Sequence, residues 1–211
     1  MYKHRSNLII GFHGCDEETR NLLVAHPQNI KRSQELFDWL GHGFYIWENN
    51  YHRALQWARD KVKRGGIKKP SVLGVICTLD NCLDFTDSAF TTMILSYYEI
   101  MKRDFENLGK TLPQNRGLAK DEYHDMILRE LDCAVIEYMH QKIREEIEVQ
   151  IRKNKYSEIR YFDTVRGIFT EGGPAFAGAG IQLKNHIQIC IRNLNCIKGL
   201  FIPRQDSVFA G

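Results

Sequence analysis

The sequence has no run of apolar residues long enough to cross a membrane, and its opening residues, Met-Tyr-Lys-His-Arg-Ser, are not followed by the apolar stretch of a signal peptide. It contains six cysteines but no Cys-x-x-Cys pair. Neither sign of charge is in large excess, because the formal net charge is only +3 over 211 residues. So mild a balance permits an anionic ligand or nucleic acid without requiring either. We therefore expect a cytoplasmic protein with reduced thiols, no membrane contact and no metal site.

The remaining composition is that of a globular protein. Hydrophobic residues make up 43% of the chain and charged residues 26%, which is enough apolar side chain for a buried core. A length of 211 residues fits one domain. Helical periodicity dominates residues 88–160, so we expect a single domain over residues 1–211 with a helical insertion at about 88–160.

Apolar runs and helical spacing alternate along the rest of the chain. The pattern predicts strands at 7–12, 41–47, 71–79, 161–169, 185–192 and 197–202. It predicts helices at 19–25, 51–62, 89–108 and 121–153, the last with a charged, solvated second half at 141–155.

Three short segments far apart in the chain share one pattern, a strand-like run that carries a single polar or aromatic side chain. They are residues 11–14 (Gly-Phe-His-Gly), residues 40–47 (Leu-Gly-His-Gly-Phe-Tyr-Ile-Trp) and residues 186–191 (His-Ile-Gln-Ile-Cys-Ile). In the first two segments, glycines flank that side chain and let a ligand approach the backbone closely. The pattern predicts that these side chains line a cleft.

The order of these motifs resembles that of the NAD-dependent ADP-ribosyltransferases of the poly-ADP-ribose-polymerase and diphtheria-toxin type. Within that superfamily the chain looks most like the bacterial toxin and phage-defence branch of the His-Tyr-[Glu/Gln] type. The resemblance spans residue 11 to about residue 204. It implies an α+β fold with a split antiparallel core of two small sheets, with NAD as co-substrate in the cleft between them.

The resemblance assigns NAD binding to His13, Gly14, Gly43, Phe44, Tyr45 and Trp57. By this resemblance His13 hydrogen-bonds the ribose of the adenosine half, and the backbone of Gly14 holds the nicotinamide carboxamide. Tyr45 faces the nicotinamide, and Trp57 on the following helix supplies the second aromatic wall. A flat cationic ring between two aromatic faces is favoured by stacking and by cation–π attraction.

The third motif of this family normally opens its strand with a glutamate that contacts the nicotinamide ribose. We place Gln188 at that position in preference to His186, because the strand, the turn and the next strand then follow without a gap. Glutamine orients a hydroxyl but brings no negative charge to an oxocarbenium-like ribose. In this family polymer synthesis goes with glutamate, so the resemblance argues against polymer synthesis. Glu171, in the glycine-rich loop 171–184, is the candidate for the missing carboxylate and for the base that deprotonates an acceptor.

These observations favour a mono-ADP-ribosyltransferase whose catalytic residues are Gln188, Tyr45, His13 and Glu171. The expected acceptor is a nucleic acid, RNA included, or a protein, and the expected role is that of a toxin or phage-defence effector. The partner that the helices of residues 88–155 would dock is an antitoxin or a second copy of the chain. The alternatives are an NAD glycohydrolase, a catalytically inactive module that binds NAD, ADP-ribose or a partner, and a transferase of RNA 2′-phosphate to NAD.

Overall fold

The computed structural model describes residues 8–118, 122–123 and 125–204. Within them the chain has the α+β class that we expected, with four α-helices and a seven-stranded sheet. The helices are α1 (Glu17–Ala25), α2 (Tyr51–Lys63), α3 (Ser88–Asn107) and α4 (Glu130–Asn154). The sheet contains β1 (Ile9–Asp16), β2 (Phe44–Glu48), β3 (Pro70–Cys77), β4 (Cys82–Asp84), β7 (Thr164–Phe169), β8 (His186–Ile191) and β9 (Ile197–Phe201), while β5 (Asn115–Arg116) and β6 (Leu128–Arg129) form a separate short ladder.

The sheet has the strand order β4-β7-β8-β2-β1-β3-β9, and its neighbours are antiparallel except β4 with β7. The expected division into two separate sheets is wrong in that form, since hydrogen bonds connect all seven strands. The join between β1 and β2 is narrow, however, and consists of the pairs Gly11 with Glu48 and Phe12 with Trp47. The pairing ends there because the backbone carbonyl of Tyr45 is hydrogen-bonded to Nδ1 of His13, 2.8 Å away, and not to the backbone of β1.

Alternate residues of each strand point to opposite faces of the sheet. Each face packs against helices and carries buried side chains. On one face α1 covers a core of Phe44, Ile46, Leu73, Val75, Ile189 and Ile191. On the other face α3 and α4 cover Leu40, Leu83, Val165 and Cys190, and α2 covers Trp47 and Val72. The side chains of Tyr45, Trp57 and Gln188 lie on this second face, whereas the ring of His13 packs against Phe44 on the first.

Every predicted strand and helix is present, and its boundaries follow local hydrogen bonds. Helix α2 is confirmed and starts where Asn50 accepts a hydrogen bond from the amide of Arg53 at 3.0 Å. Helix α1 begins two residues early, because Asp16 caps it by accepting from the amide of Glu18 at 3.2 Å. Strand β2 begins three residues late, because Gly41 has a φ of 78°, which a continuing strand does not accommodate.

The helical insertion differs most from its prediction. Its long helix begins at Glu130 and not at residue 121, which lies outside the described residues; Asn115 binds the first turn by accepting from the amide of Leu131 at 3.0 Å. The second half of α4 is also not a solvated helix on all sides, since Ile143 and Ile147 are buried in the core. None of the helices in the described part of the chain combines the length and the apolar character needed to cross a bilayer.

Candidate functional site

The first two sequence motifs meet at the join between β1 and β2. His13 Nδ1 lies 2.8 Å from the carbonyl oxygen of Tyr45, and the His13 ring packs 4.5 Å from the ring of Phe44. A carbonyl oxygen only accepts, so Nδ1 carries the proton in this bond. Burial lowers the pKa of His13, which keeps the imidazole neutral and leaves Nε2 as a bare acceptor.

Tyr45 is fixed by the turn that precedes it. Its hydroxyl donates to the carbonyl of Gly41 at 2.8 Å and accepts from the amide of Leu40 at 2.9 Å. Burial raises the pKa of Tyr45, so the hydroxyl stays protonated. Gly43 is required in the same turn, because a β-carbon there would overlap the sulfur of Cys190 and lie 2.7 Å from the carbonyl of Ile191.

A half-buried ion pair that sequence reasoning missed supports this turn from α4. Glu137 accepts a hydrogen bond from the amide of His42 at 2.8 Å and pairs with Arg192, with Nη2 3.1 Å from Oε2. Burial opposes ionisation of this carboxyl, but the bonds from Arg192 outweigh it, and the pKa of Glu137 is lowered. The insertion therefore holds the Gly-x-Gly turn in place.

The structure does not bring Tyr45 and Trp57 together as two walls of one pocket. Trp57 belongs to the cluster beneath α2, where it meets Trp47 with ring centroids 5.5 Å apart and Lys61 with its Nζ 4.4 Å from the ring. Tyr45 packs in the cluster beneath α3 and α4. Gly14 does lie against Trp57, since a β-carbon on it would come within 3.1 Å of that ring.

Gln188 occupies the centre of β8, paired with Trp47 on one side and Gly167 on the other. Its side-chain oxygen accepts a hydrogen bond from Trp39 Nε1 at 2.6 Å. The amide oxygen is thus engaged, and the NH₂ group is the part of Gln188 that a ligand can meet. Trp39 is a second residue that the sequence did not single out.

Glu171 is not the solvated loop acid that its sequence context indicates. It is 8% exposed and forms an ion pair with Arg53 of α2. Its carboxylate lies 3.8 Å from Nδ1 of His186, the position we had passed over in favour of Gln188. Arg53 therefore neutralises the charge that we expected Glu171 to offer.

His186 lies in an aromatic setting between strands β2 and β7. Its ring stacks on Phe169 with centroids 5.4 Å apart and lies 6.2 Å from the ring of Trp47. Nδ1 lies 2.7 Å from the carbonyl of Lys184. Burial lowers the pKa of His186 to about 4, so the ring is neutral near pH 7.

Three of these side chains hold buried polar atoms that have no hydrogen-bond partner. The atoms are Nε1 of Trp47, Nε and Nη1 of Arg53, and Nε2 of His186. Trp47 lies two residues after Tyr45 on β2 and shares its face of the sheet, and Arg53 lies in the first turn of the helix that follows. The strand and helix periodicities therefore place Trp47 and Arg53 near the second motif. Neither periodicity indicates that these two side chains lie close to His186.

The loop of residues 171–184 borders a cavity of about 380 Å³ that none of His13, Tyr45 and Gln188 lines. Its walls are Tyr123, Asp125, Thr170, Gly173, Pro174, Gly180 and Gln182. The loop is fixed to one wall of this cavity, because the amide of Gly172 donates a hydrogen bond to the side chain of Asp125 at 2.6 Å. Among the described residues no group of three His, Cys, Asp or Glu side chains is arranged to hold a metal ion.

Buried neutral histidines predict a specific pH dependence of stability. His186 and His140 have pKa values lowered by burial to about 4 and about 3, from 6.5. Below pH 6.5 the unfolded chain binds a proton at each site that the folded chain does not, so stability falls as the pH drops toward 4. Each histidine contributes about 1.4 kcal/mol per pH unit in that window.

We therefore expect His186→Phe to remove about 1.4 kcal/mol per pH unit of this acid sensitivity. Urea unfolding of wild type and variant between about pH 7 and about pH 5 measures it. Curves that stay parallel over this range would show that His186 is not a buried neutral group.

Comparison of the chain with protein-family models, with curated proteins and with solved structures gave no match.

Proposed function

We propose that this protein is a mono-ADP-ribosyltransferase that transfers ADP-ribose from NAD to a nucleic acid, RNA included, or to a protein. The observation that carries the proposal is the bond from His13 Nδ1 to the carbonyl of Tyr45. It unites the His-Gly and Gly-x-Gly-x-Tyr motifs at the place where β1 and β2 cease to pair. The finer fold assignment, an ADP-ribosyltransferase core, belongs to the same proposal and is supported by this narrow join.

The proposed pocket binds NAD through complementary polar groups. The unprotonated Nε2 of neutral His13 accepts a hydrogen bond from a hydroxyl of the adenosine ribose. The backbone of Gly14 pairs with the carboxamide and the ring of Tyr45 faces the nicotinamide, while Trp57 packs behind Gly14 in the cluster beneath α2. The NH₂ group of Gln188 orients a hydroxyl of the second ribose.

In the proposed reaction the bond from ribose C1′ to the nicotinamide nitrogen breaks, and its electron pair leaves with nicotinamide. The acceptor then attacks C1′ of the cationic ribose and gives up its proton to Glu171, the proposed base. Gln188 is uncharged and Glu171 is paired with Arg53, so no uncompensated carboxylate faces this cation in the resting protein. Oriented dipoles and aromatic faces supply the stabilisation, and the neutral Gln188 favours a single transfer.

The acceptor is proposed to approach over the 171–184 loop, beside the cavity of about 380 Å³. Tyr123 offers this cavity an aromatic ring, and Gln182 offers it an amide. An intracellular toxin or phage-defence role, with an antitoxin as partner, is part of this proposal.

One observation favours a second candidate, an NAD glycohydrolase. Glu171 is the proposed base for an acceptor, and Arg53 engages its carboxylate. A base held in an ion pair activates a bound macromolecule poorly, whereas water needs little activation to capture an oxocarbenium-like ribose. The two candidates share the NAD pocket and differ only in the acceptor.

The test is incubation of the purified protein with labelled NAD and, separately, total RNA, DNA or cell lysate. We expect label in one pool and a loss of about 100-fold in both Tyr45→Ala and Gln188→Ala. Tyr156→Ala, at an exposed tyrosine, is the matched control and should behave as wild type. Release of nicotinamide without labelled product would identify the glycohydrolase, and absence of turnover with NAD bound would identify a binding module.

A further inference from the structure

A cluster of buried polar atoms lies beneath the 171–184 loop, outside the residues that the sequence assigned to NAD. Trp47 is 2% exposed and His186 6%. Nε1 of Trp47, Nε and Nη1 of Arg53 and Nε2 of His186 are all buried without a hydrogen-bond partner. Folded proteins satisfy most such atoms, because an unpaired buried polar group costs about 1–3 kcal/mol. Four of them on three neighbouring side chains therefore indicate a site built for a ligand.

The hydrogen-bonding character of each atom can be assigned. The carbonyl of Lys184 accepts from Nδ1 of His186 at 2.7 Å, so this nitrogen carries the proton of the neutral ring. Nε2 of His186 is consequently an acceptor. The indole nitrogen of Trp47 and both free nitrogens of Arg53 are donors. The cluster thus presents at least three N–H groups and one bare nitrogen.

Charge decides against an anionic ligand. Arg53 is already paired with Glu171, so the guanidinium and the carboxylate cancel and His186 is neutral. A phosphate or carboxylate would enter a buried site that has no net positive charge to repay its desolvation. It would also lack the proton that Nε2 of His186 requires.

A vicinal diol fits this set of groups. Its two oxygens accept from three or more N–H groups, and one of its O–H groups donates to the bare nitrogen. A primary carboxamide has one oxygen with two lone pairs, which leaves at least one of the three donors unsatisfied. The flanking rings of Trp57 and Phe169 provide the apolar walls against which a sugar ring packs.

We propose that Trp47, Arg53 and His186 form a binding site for the cis-diol of a ribose, with Trp47 and Arg53 donating to its oxygens and His186 accepting from one hydroxyl. This inference rests on the proposed function where the ribose is that of NAD. The same diol occurs at the 3′ end of RNA, so the experiment separates these two sources.

The experiment is calorimetric titration of the full chain with ADP-ribose and with a short RNA that ends in a 3′ cis-diol. Trp47→Phe deletes the indole N–H together with part of the buried indole ring, and His186→Phe deletes the acceptor. We expect each to weaken binding of the diol ligand about 10-fold, the loss of one buried hydrogen bond. His140→Phe is the matched control, because His140 is also buried with an unpartnered Nε2 but lies on α4, and its affinity should equal wild type.

Ligand variants provide a second arm that does not depend on how the protein variants fold. ADP-ribose whose terminal ribose lacks the 2′-hydroxyl, and an RNA with a 3′-deoxy end, should each bind wild type about 10-fold more weakly than the parent ligand. Binding of ADP-ribose assigns the site to NAD, and binding of the RNA alone assigns it to RNA and removes the NAD proposal. Equal affinity of parent and deoxy ligands, together with equal affinity of the variants, overturns the diol site while leaving NAD turnover to stand on its own test. A wild type that binds neither ligand overturns the diol site.

Discussion

Replacement of Gly14 by alanine is expected to lower the free energy of unfolding by about 3 kcal/mol, at the upper end of the usual cost of overpacking. A β-carbon at Gly14 would overlap the carbonyl oxygen of Ala54 and press on the ring of Trp57. A backbone carbonyl inside a helix cannot rotate away, so α2 must shift as a whole. Arg53 directly precedes Ala54, and the shift therefore also moves its contact with Glu171.

The second consequence of Gly14→Ala is loss of ligand binding, which we expect to exceed 10-fold for ADP-ribose. Urea unfolding measures the stability and calorimetry the affinity. Gly199→Ala is the matched control, because Gly199 is also a strand glycine and its added β-carbon finds its nearest neighbour at 3.7 Å. A Gly14→Ala protein with wild-type stability would mean that β1 and α2 are not in contact as described.

Local signals in the sequence predicted the elements that carry the candidate site. Strands β2 and β8 are short runs bounded by turn residues, and α2 has both an Asn cap and an apolar stripe. The glycines of the second motif were informative for a physical reason, since Gly41 adopts a left-handed φ and Gly43 touches β8. The strand runs, the helix cap and the φ of Gly41 depend on neighbours a few residues away, which is why they can be predicted from one sequence. The contact of Gly43 with Cys190 on β8 is long-range and could not be.

The polar core of the site could not be predicted, because its partners are far apart in the chain. Arg53 and Glu171 are separated by 118 residues, and each in its own segment has the pattern of a surface charge. The same holds for Glu137, which reads as part of a charged helix and instead binds the turn at His42. Hydrophobic periodicity locates the buried face of an element but carries no information on which buried charge meets which.

The helix boundary at Glu130 was missed for a related reason. Residues before it have acceptable helical spacing, yet β6 pairs with β5 across the chain and Asn115 binds the first turn of α4. A long-range strand pair thus outweighed local helical propensity. The buried side of the second half of α4 was missed because its charged residues mask the spacing of Ile143 and Ile147.

Arg166→Met is expected to cost about 3–5 kcal/mol of unfolding free energy, because it removes this cation from the buried carboxylate of Asp84 and the partly buried carboxylate of Glu48. Arg166 is 8% exposed and Asp84 4%. Its Nε donates to Glu48 at 2.6 Å, and its Nη1 lies 3.2 Å from both oxygens of Asp84. Burial opposes the charge of Arg166, but the bonds from Glu48 and Asp84 outweigh it and raise the pKa of the guanidinium.

The arrangement of this network explains why its loss should reach the site. Arg166 on β7 binds Asp84 on β4 and reaches past β8 to Glu48, which is one of the residues that join β2 to β1. The ion pairs therefore hold the strands of Tyr45 and Gln188 in register. A buried ion pair is seldom more stabilising than apolar packing of equal volume, so the large cost should come from the carboxylates that are left behind. The double variant Arg166→Met with Asp84→Asn should then be more stable than Arg166→Met alone.

Arg152→Met is the control. It breaks an exposed ion pair on α4 and should cost less than about 0.5 kcal/mol. Urea unfolding of the three variants tests this. A double variant no more stable than Arg166→Met alone would locate the cost in the lost packing of Arg166 and not in unpaired charge.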